Sequence, residues 1–135
     1  MIVVDACVAV KWFIPEPGAS AATALFRSGE ILCAPAHVTV EVGPALLRHQ
    51  RDGVIDYDQA VAALGSLTDL LSLVAAESLA VEAYSLAARF GVTIYDALYV
   101  VLAGRIGGVL VTADSRLFAR ISPTPLSRAV RLLDQ

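Results

Sequence analysis

Cysteine, lysine and charge are scarce in this chain of 135 residues. The only cysteines are Cys7 and Cys33. Neither lies in a C-x-x-C pair, and no histidine stands at zinc-finger spacing from them. Nothing therefore supports a zinc module or a disulfide-stapled scaffold, and the expectation is two small buried thiols in a reducing compartment. Lys11 is the only lysine, and the net charge is −3 from 10 basic and 13 acidic residues. This balance argues against a basic nucleic-acid-binding module. Were four acids gathered around a cation, however, nine would remain against 10 basic residues, so an RNA substrate is not excluded. Long apolar runs are also missing. Asp69, Asp96 and Arg105 interrupt the longest ones before they reach the ~20 residues of a membrane span. Met1 leads straight into a strand-like MIVVD with no basic start and no cleavage site, so no signal peptide and a cytoplasmic location are expected.

Apolar residues, by contrast, make up 57% of the chain against 17% charged, more than is usual for a soluble domain. Either much of the chain is buried or a partner covers apolar surface. The length suits one domain spanning residues 1–135, with no repeat, low-complexity segment or linker to divide it.

Residues 1–5 read as a buried strand closed by Asp5, and the apolar run fits a parallel sheet covered on both faces. Pro15, Pro17 and Gly18 mark a break, with Trp12 before it as a packing residue and Lys11 as a solvated side chain or a phosphate contact. The pattern then predicts a helix over 20–27, a strand over 31–34 and a helix over 36–52 distorted at Gly43-Pro44. Further helices follow over 57–71, 77–90, 94 to about 107 and 115–119. Strands are expected at 73–75 and 109–112, and the tail 129–133 is left open between a strand and a helix turn. His37 and His49 read as ordinary helix residues. The alternation of strands and helices implies a single α/β domain with a central, mostly parallel sheet flanked by helices on both faces.

Four acids stand out. Asp96 opens a helix, Ile94 onwards, that is otherwise apolar on every side and so belongs in the core. A carboxylate there must be protonated, paired or bound to a cation. Glu41 falls on the buried stripe of its helix, with Val38 and Ala45; a salt bridge to Arg48 or Arg51 is its ordinary explanation. Asp5 and Asp114 lie at strand carboxyl ends, where open α/β sheets bind ligands. Each of the two is also a plausible helix N-cap, and Thr93 with Asp96 makes a capping pattern. A parallel sheet brings strand ends to one edge, so the acids can share a site. Their repulsion would be relieved by a divalent cation, and all-oxygen ligation favours Mg²⁺ or Mn²⁺. Thr112 adds a hydroxyl for the ion or a water. Such a site suits phosphodiester hydrolysis by an activated water, and no Ser or Cys has a convincing His base to act as nucleophile.

Asp5 at the end of the first strand, Glu41 in VTVEVGPALLR, Asp96 in TIYDALYV and Asp114 in LVTADSRLF come in this order. The set resembles the PIN-domain ribonucleases, and within them the VapC toxins of type II toxin–antitoxin pairs, from Asp5 to Phe118. The resemblance implies that Asp5, Glu41, Asp96 and Asp114 are the catalytic, metal-binding acids and that the activity is Mg²⁺- or Mn²⁺-dependent endonucleolytic cleavage of RNA. It also implies a VapB-type antitoxin whose tail lies in an apolar groove, and a homodimer. Those two interfaces would account for the apolar surplus. Pro44 departs from the Asn-Ala-Leu that many relatives carry, which removes any polar role at that position. Arg48 and Arg116 are candidate phosphate contacts. The competing reading is a PIN-fold module that binds RNA or a protein without cutting. A phosphatase or receiver built on Asp5 fits less well, because Cys7 replaces the second aspartate of the one and the late lysine of the other is missing.

Overall fold

The computed structural model describes residues 1–134. Five short strands, β1 (Ile2–Val4), β2 (Leu32–Pro35), β3 (Ser72–Val74), β4 (Val109–Thr112) and β5 (Val130–Leu132), form one sheet in the order β3-β2-β1-β4-β5. Every pairing is parallel: Ile2 faces Leu32 on one side and Val109 on the other, Ala34 faces Leu73, and Val111 faces Arg131. The chain therefore starts in the middle, steps outward through β2 and β3, then returns past β1 to add β4 and β5. Right-handed crossovers put the connections on the two sides of β1 on opposite faces, which gives the expected covering of both faces. The switch point falls between β1 and β4, the place where a doubly wound sheet opens a crevice at its strand carboxyl ends.

The helices are α1 (Ala6–Ala9), α2 (Ala19–Phe26), α3 (Val38–Glu41), α4 (Gly43–Arg51), α5 (Tyr57–Leu70), α6 (Ala80–Phe90), α7 (Ile94–Arg105) and α8 (Ser115–Ile121). The stretch before Pro15 is helical. Asp5 caps α1, and a 3₁₀ turn, Val10–Trp12, continues it until the prolines stop it. The 36–52 helix is divided at Val42, where Gly43 and Pro44 open α4; Pro44 falls in its first turn, where a missing N–H costs least. Asp56 and Gln59 form a capping box at the start of α5, each satisfying the other's backbone amide. Gly91, at φ +67°, closes α6 in the left-handed conformation. Strand β3 lies one residue earlier than its sequence signal, and the tail is a strand rather than a helix turn.

Ala97 to Ala103 of α7 are all buried, as an all-apolar helix requires, and α7 lies across β1, β2 and β4. Val3, Val4, Leu110 and Val111, whose side chains alternate between the two faces, are all fully buried, as a sheet covered on both sides requires. Gly108 is dictated by close approach: a Cβ there would stand 2.8 Å from the Met1 carbonyl oxygen where β4 enters beside β1. Trp12 packs against Phe13 and Phe26, and its Nε1–H donates to the Ala22 carbonyl at 2.9 Å. Lys11 is neither solvated nor free for a phosphate. Its Nζ pairs with Glu16 Oε1 at 2.9 Å in a mostly buried contact, and His49 Nε2 approaches the other Glu16 oxygen at 3.4 Å. His49 thus lies against the Lys11–Glu16 pair where α4 meets the Pro15–Pro17 turn, more than an ordinary helix residue. Among the described residues, no single helix is long and apolar enough to cross a membrane.

Candidate active site

The four acids reach one cleft of about 290 Å³ at the switch point. Asp5 enters from the end of β1, Glu41 from the end of α3, Asp96 from the first turn of α7 and Asp114 from just beyond β4. Cys7, Pro44 and Arg48 complete the part of the lining that bears on chemistry. For Asp5 and Asp114 the capping role and a place in the cleft hold together. Asp5 Oδ1 accepts from the Cys7 amide at 3.2 Å, and Asp114 Oδ1 accepts from the Arg116 and Leu117 amides at 2.8 and 3.2 Å. Each carboxylate therefore caps a helix with one oxygen while its residue lines the cleft. Thr93 caps α7 by accepting from the Asp96 amide at 3.1 Å, with the Asp96 side chain half-buried beside it.

Asp5 is the most deeply placed, at 5% exposure. Burial pushes its carboxyl up to about 6, against the opposing hydrogen bonds from Thr112 and the Cys7 backbone, and the Glu41 charge adds to the rise. Asp96 is also held above the usual range, first by burial and then by the charges of Asp114 and Glu41. Glu41 goes the other way. Burial raises it, but the hydroxyl of Tyr99 and the imidazole of His37 together outweigh that and hold the carboxyl below its usual value.

Thr112 does not face the cleft as a ligand. It is fully buried, its hydroxyl donates to Asp5 Oδ2 at 2.5 Å, and its own Oγ1 accepts from the Asp114 amide at 2.9 Å. The single hydroxyl proton is committed to Asp5, so Cys7 donates its S–H to Thr112 Oγ1 at 3.5 Å. The thiol, pushed up to about 12 by burial and by the Asp5 charge, stays protonated and accepts from the Ala113 amide at 3.2 Å. Cys7 is thus a partly buried cleft residue, while Cys33 is buried; both are free thiols.

Two further residues of the site, Tyr99 and His37, stand outside the four acids. Tyr99, wholly buried, donates to Glu41 Oε2 at 2.7 Å, and His37 Nε2 lies 3.1 Å from the same oxygen. The histidine contact is short but off line, so neither ring nitrogen makes an aligned hydrogen bond. These two, and not Arg48 or Arg51, are the partners of Glu41. The available clue was Tyr99 itself, one turn after Asp96 on a helix with no exposed side: a buried phenol needs an acceptor. Arg48 reaches the cleft with an exposed side chain, whereas the exposed Arg116 does not line it and contributes its backbone amide to Asp114.

As a donor set, the cleft suits a hard divalent cation. Its ligands are carboxylate oxygens, two of them unfavourably ionised where they stand, and its one sulfur is a protonated thiol. Among the described residues, no three His, Cys, Asp or Glu side chains already stand close enough together to hold an ion.

An all-parallel α/β domain with an acid-lined crevice at its switch point is the class of protein these features define. The chain belongs to the PIN-domain family, which it matches over residues 2–122, and within it to the VapC ribonucleases. It is 34% identical over 119 residues to Ribonuclease VapC3 of Pyrobaculum aerophilum, covering 86% of this chain and 91% of that relative. To Ribonuclease VapC12 of Mycobacterium tuberculosis it is 36% identical over 118 residues, covering 87% and 89%. Ribonuclease VapC1 of the same organism is 42% identical over a shorter 86 residues. The crystal structure of PAE2754 from Pyrobaculum aerophilum shares the fold, with a TM-score of 0.71 at 24% identity over 98% of this chain and 83% of that one.

Proposed function

We propose that this protein is a Mg²⁺- or Mn²⁺-dependent endoribonuclease and the toxin of a type II toxin–antitoxin pair. The observation that carries the reading is the convergence of Asp5, Glu41, Asp96 and Asp114, from four separate elements, on one cleft where two of them resist ionisation. The named ribonuclease relatives support RNA as the substrate. The four carboxylates are the residues that would hold the ion. When bound, Mg²⁺ or Mn²⁺ supplies a water of lowered pKa and neutralises charge on the phosphodiester. Thr112 fixes Asp5 and the Asp114 backbone relative to each other, and so sets the spacing of two of the acids across the switch point. Arg48 offers its guanidinium to a substrate phosphate at the rim. The chain needs no nucleophile of its own, and the protonated Cys7 thiol is unsuited to be one.

A VapB-type antitoxin is the partner expected for this family. An apolar depression lined by Trp12, Phe13, Phe26 and Leu70 is a place for its tail. Val81 and Tyr84 of α6, 82% and 70% exposed, suit a homodimer contact.

The deciding experiment is RNA cleavage by the purified protein in EDTA, then with Mn²⁺ or Mg²⁺ restored, beside Asp96→Asn. Cleavage that requires the metal and disappears in the variant supports the assignment. Full activity in folded Asp96→Asn refutes the site, and absence of cleavage on every RNA tried moves the reading to a non-cutting binding module. If a small gene adjoins this one, co-expression with it tests the pairing; a monomer that ignores its product would exclude it.

A further inference from the structure

We propose that Tyr99, with His37 beside it, orients Glu41 so that Oε1 is the oxygen offered to a divalent cation in the cleft. The inference rests on the metal-dependent nuclease reading and concerns how one of its four acids is held.

Tyr99 is wholly buried, and its hydroxyl donates to Glu41 Oε2 at 2.7 Å. It stands three residues after Asp96, on the same face of α7, and so carries a hydrogen bond from the central helix across to α3. Phenylalanine would pack as well in that position; the hydroxyl is explained by the acid it meets. His37 converges on the same oxygen from the start of α3, its Nε2 3.1 Å away and its ring 4.9 Å from that of Tyr99. Two side chains from different elements thus occupy Oε2, and among the described residues no hydrogen bond engages Oε1. Glu41 is 32% exposed and lines the cleft. Without these partners a glutamate side chain so placed would sample several rotamers. With them it presents one oxygen in one direction. Tyr99 is accordingly a positioning residue, acting on the ion only through Glu41. Partners of this kind are typically worth ~10–100-fold in metal affinity.

The test is calorimetric titration of the full chain with Mn²⁺ alone, comparing wild type, Tyr99→Phe, Glu41→Gln and the double variant. The expected result is that Tyr99→Phe weakens Mn²⁺ binding by about tenfold or more. In the Glu41→Gln background the same change should shift the affinity by less than about twofold, because no carboxylate remains to be oriented. Wild-type affinity in Tyr99→Phe overturns the proposal, and so does an equal weakening in both backgrounds, which would mark a general loss of structure. Should Tyr99→Phe fail to fold, His37→Phe keeps a ring against Tyr99 and carries the same test: several-fold weaker binding supports the clamp and unchanged binding overturns it. If wild type itself takes up no Mn²⁺, the nuclease reading falls and the clamp with it, an outcome distinct from failure of the clamp alone.

Discussion

Asp5→Asn should make the metal-free protein more stable while removing its activity. The Asp5 carboxyl rises from 3.8 to about 6 on folding, mainly because burial opposes its charge. A carboxyl held above its unfolded value contributes stability that is fully present below pH 3.8 and is lost as pH rises through about 6. By pH 8 the loss amounts to about 3 kcal/mol, at 1.36 kcal/mol per tenfold. Asparagine has no charge to lose. It keeps an acceptor for the Cys7 amide but disturbs the hydrogen bond from Thr112, a loss of about 1 kcal/mol. The net gain at pH 8 is therefore about 2 kcal/mol, or roughly 6–10 °C in melting temperature for a chain of this size. Near pH 4 the two proteins should converge. The assay is a set of thermal melts of wild type and Asp5→Asn in EDTA from pH 4 to pH 8, repeated with Mn²⁺. The cation should raise the wild type at pH 8 and leave the variant almost unmoved. An Asp5→Asn protein no more stable than wild type at pH 8, with no gap that opens as pH rises, would refute the claim that this carboxylate is unfavourably ionised.

Asp96→Asn should keep its melting temperature within a few degrees and lose cleavage by at least about a hundredfold, measured on the same RNA with saturating Mn²⁺. Mn²⁺ affinity should fall as pH is lowered through about 6, since protons compete for the Asp5 carboxylate; a flat affinity between pH 5 and pH 8 would count against Asp5 as a ligand. Thr112→Val strands Asp5 Oδ2 and the Asp114 amide, and urea denaturation should show a loss of about 2–3 kcal/mol. Leu110→Ala, at a fully buried position in β4, should cost about 2–5 kcal/mol by the same method.

Much of this molecule was legible in its residues. The apolar runs at β1, β2 and β4 marked buried parallel strands, and the seamless apolarity of α7 marked the central helix. The acids at strand ends and helix starts announced the cleft, because a carboxylate among such neighbours demands an explanation. The strand order was not legible, since local pattern says nothing of which strand pairs with which. Nor was the partnership of Glu41 with His37 and Tyr99. Tyr99 lies 58 residues away in sequence, and on an all-apolar helix its phenol reads as one more packing group. Lys11 misled for a related reason. A lone lysine is usually solvated, but here the Pro15–Pro17 turn folds Glu16 back onto it. The helix after Asp5 carried little signal, because the four residues of α1 and the following 3₁₀ turn are too short to show a helical period before the prolines end them.

The sheet order also bears on when the cleft comes together during synthesis. The first strand synthesised is the central one, and its acid meets Thr112 across 107 residues of chain. Until β4 and the residues just after it have left the ribosome, Asp5 has neither its hydroxyl partner nor Asp114 across the crevice. Asp96 and Glu41 likewise wait for α7 to find a sheet to lie on. The cleft therefore cannot gather its four acids before residue 114 has been made, with α8 and β5 still to be added after that.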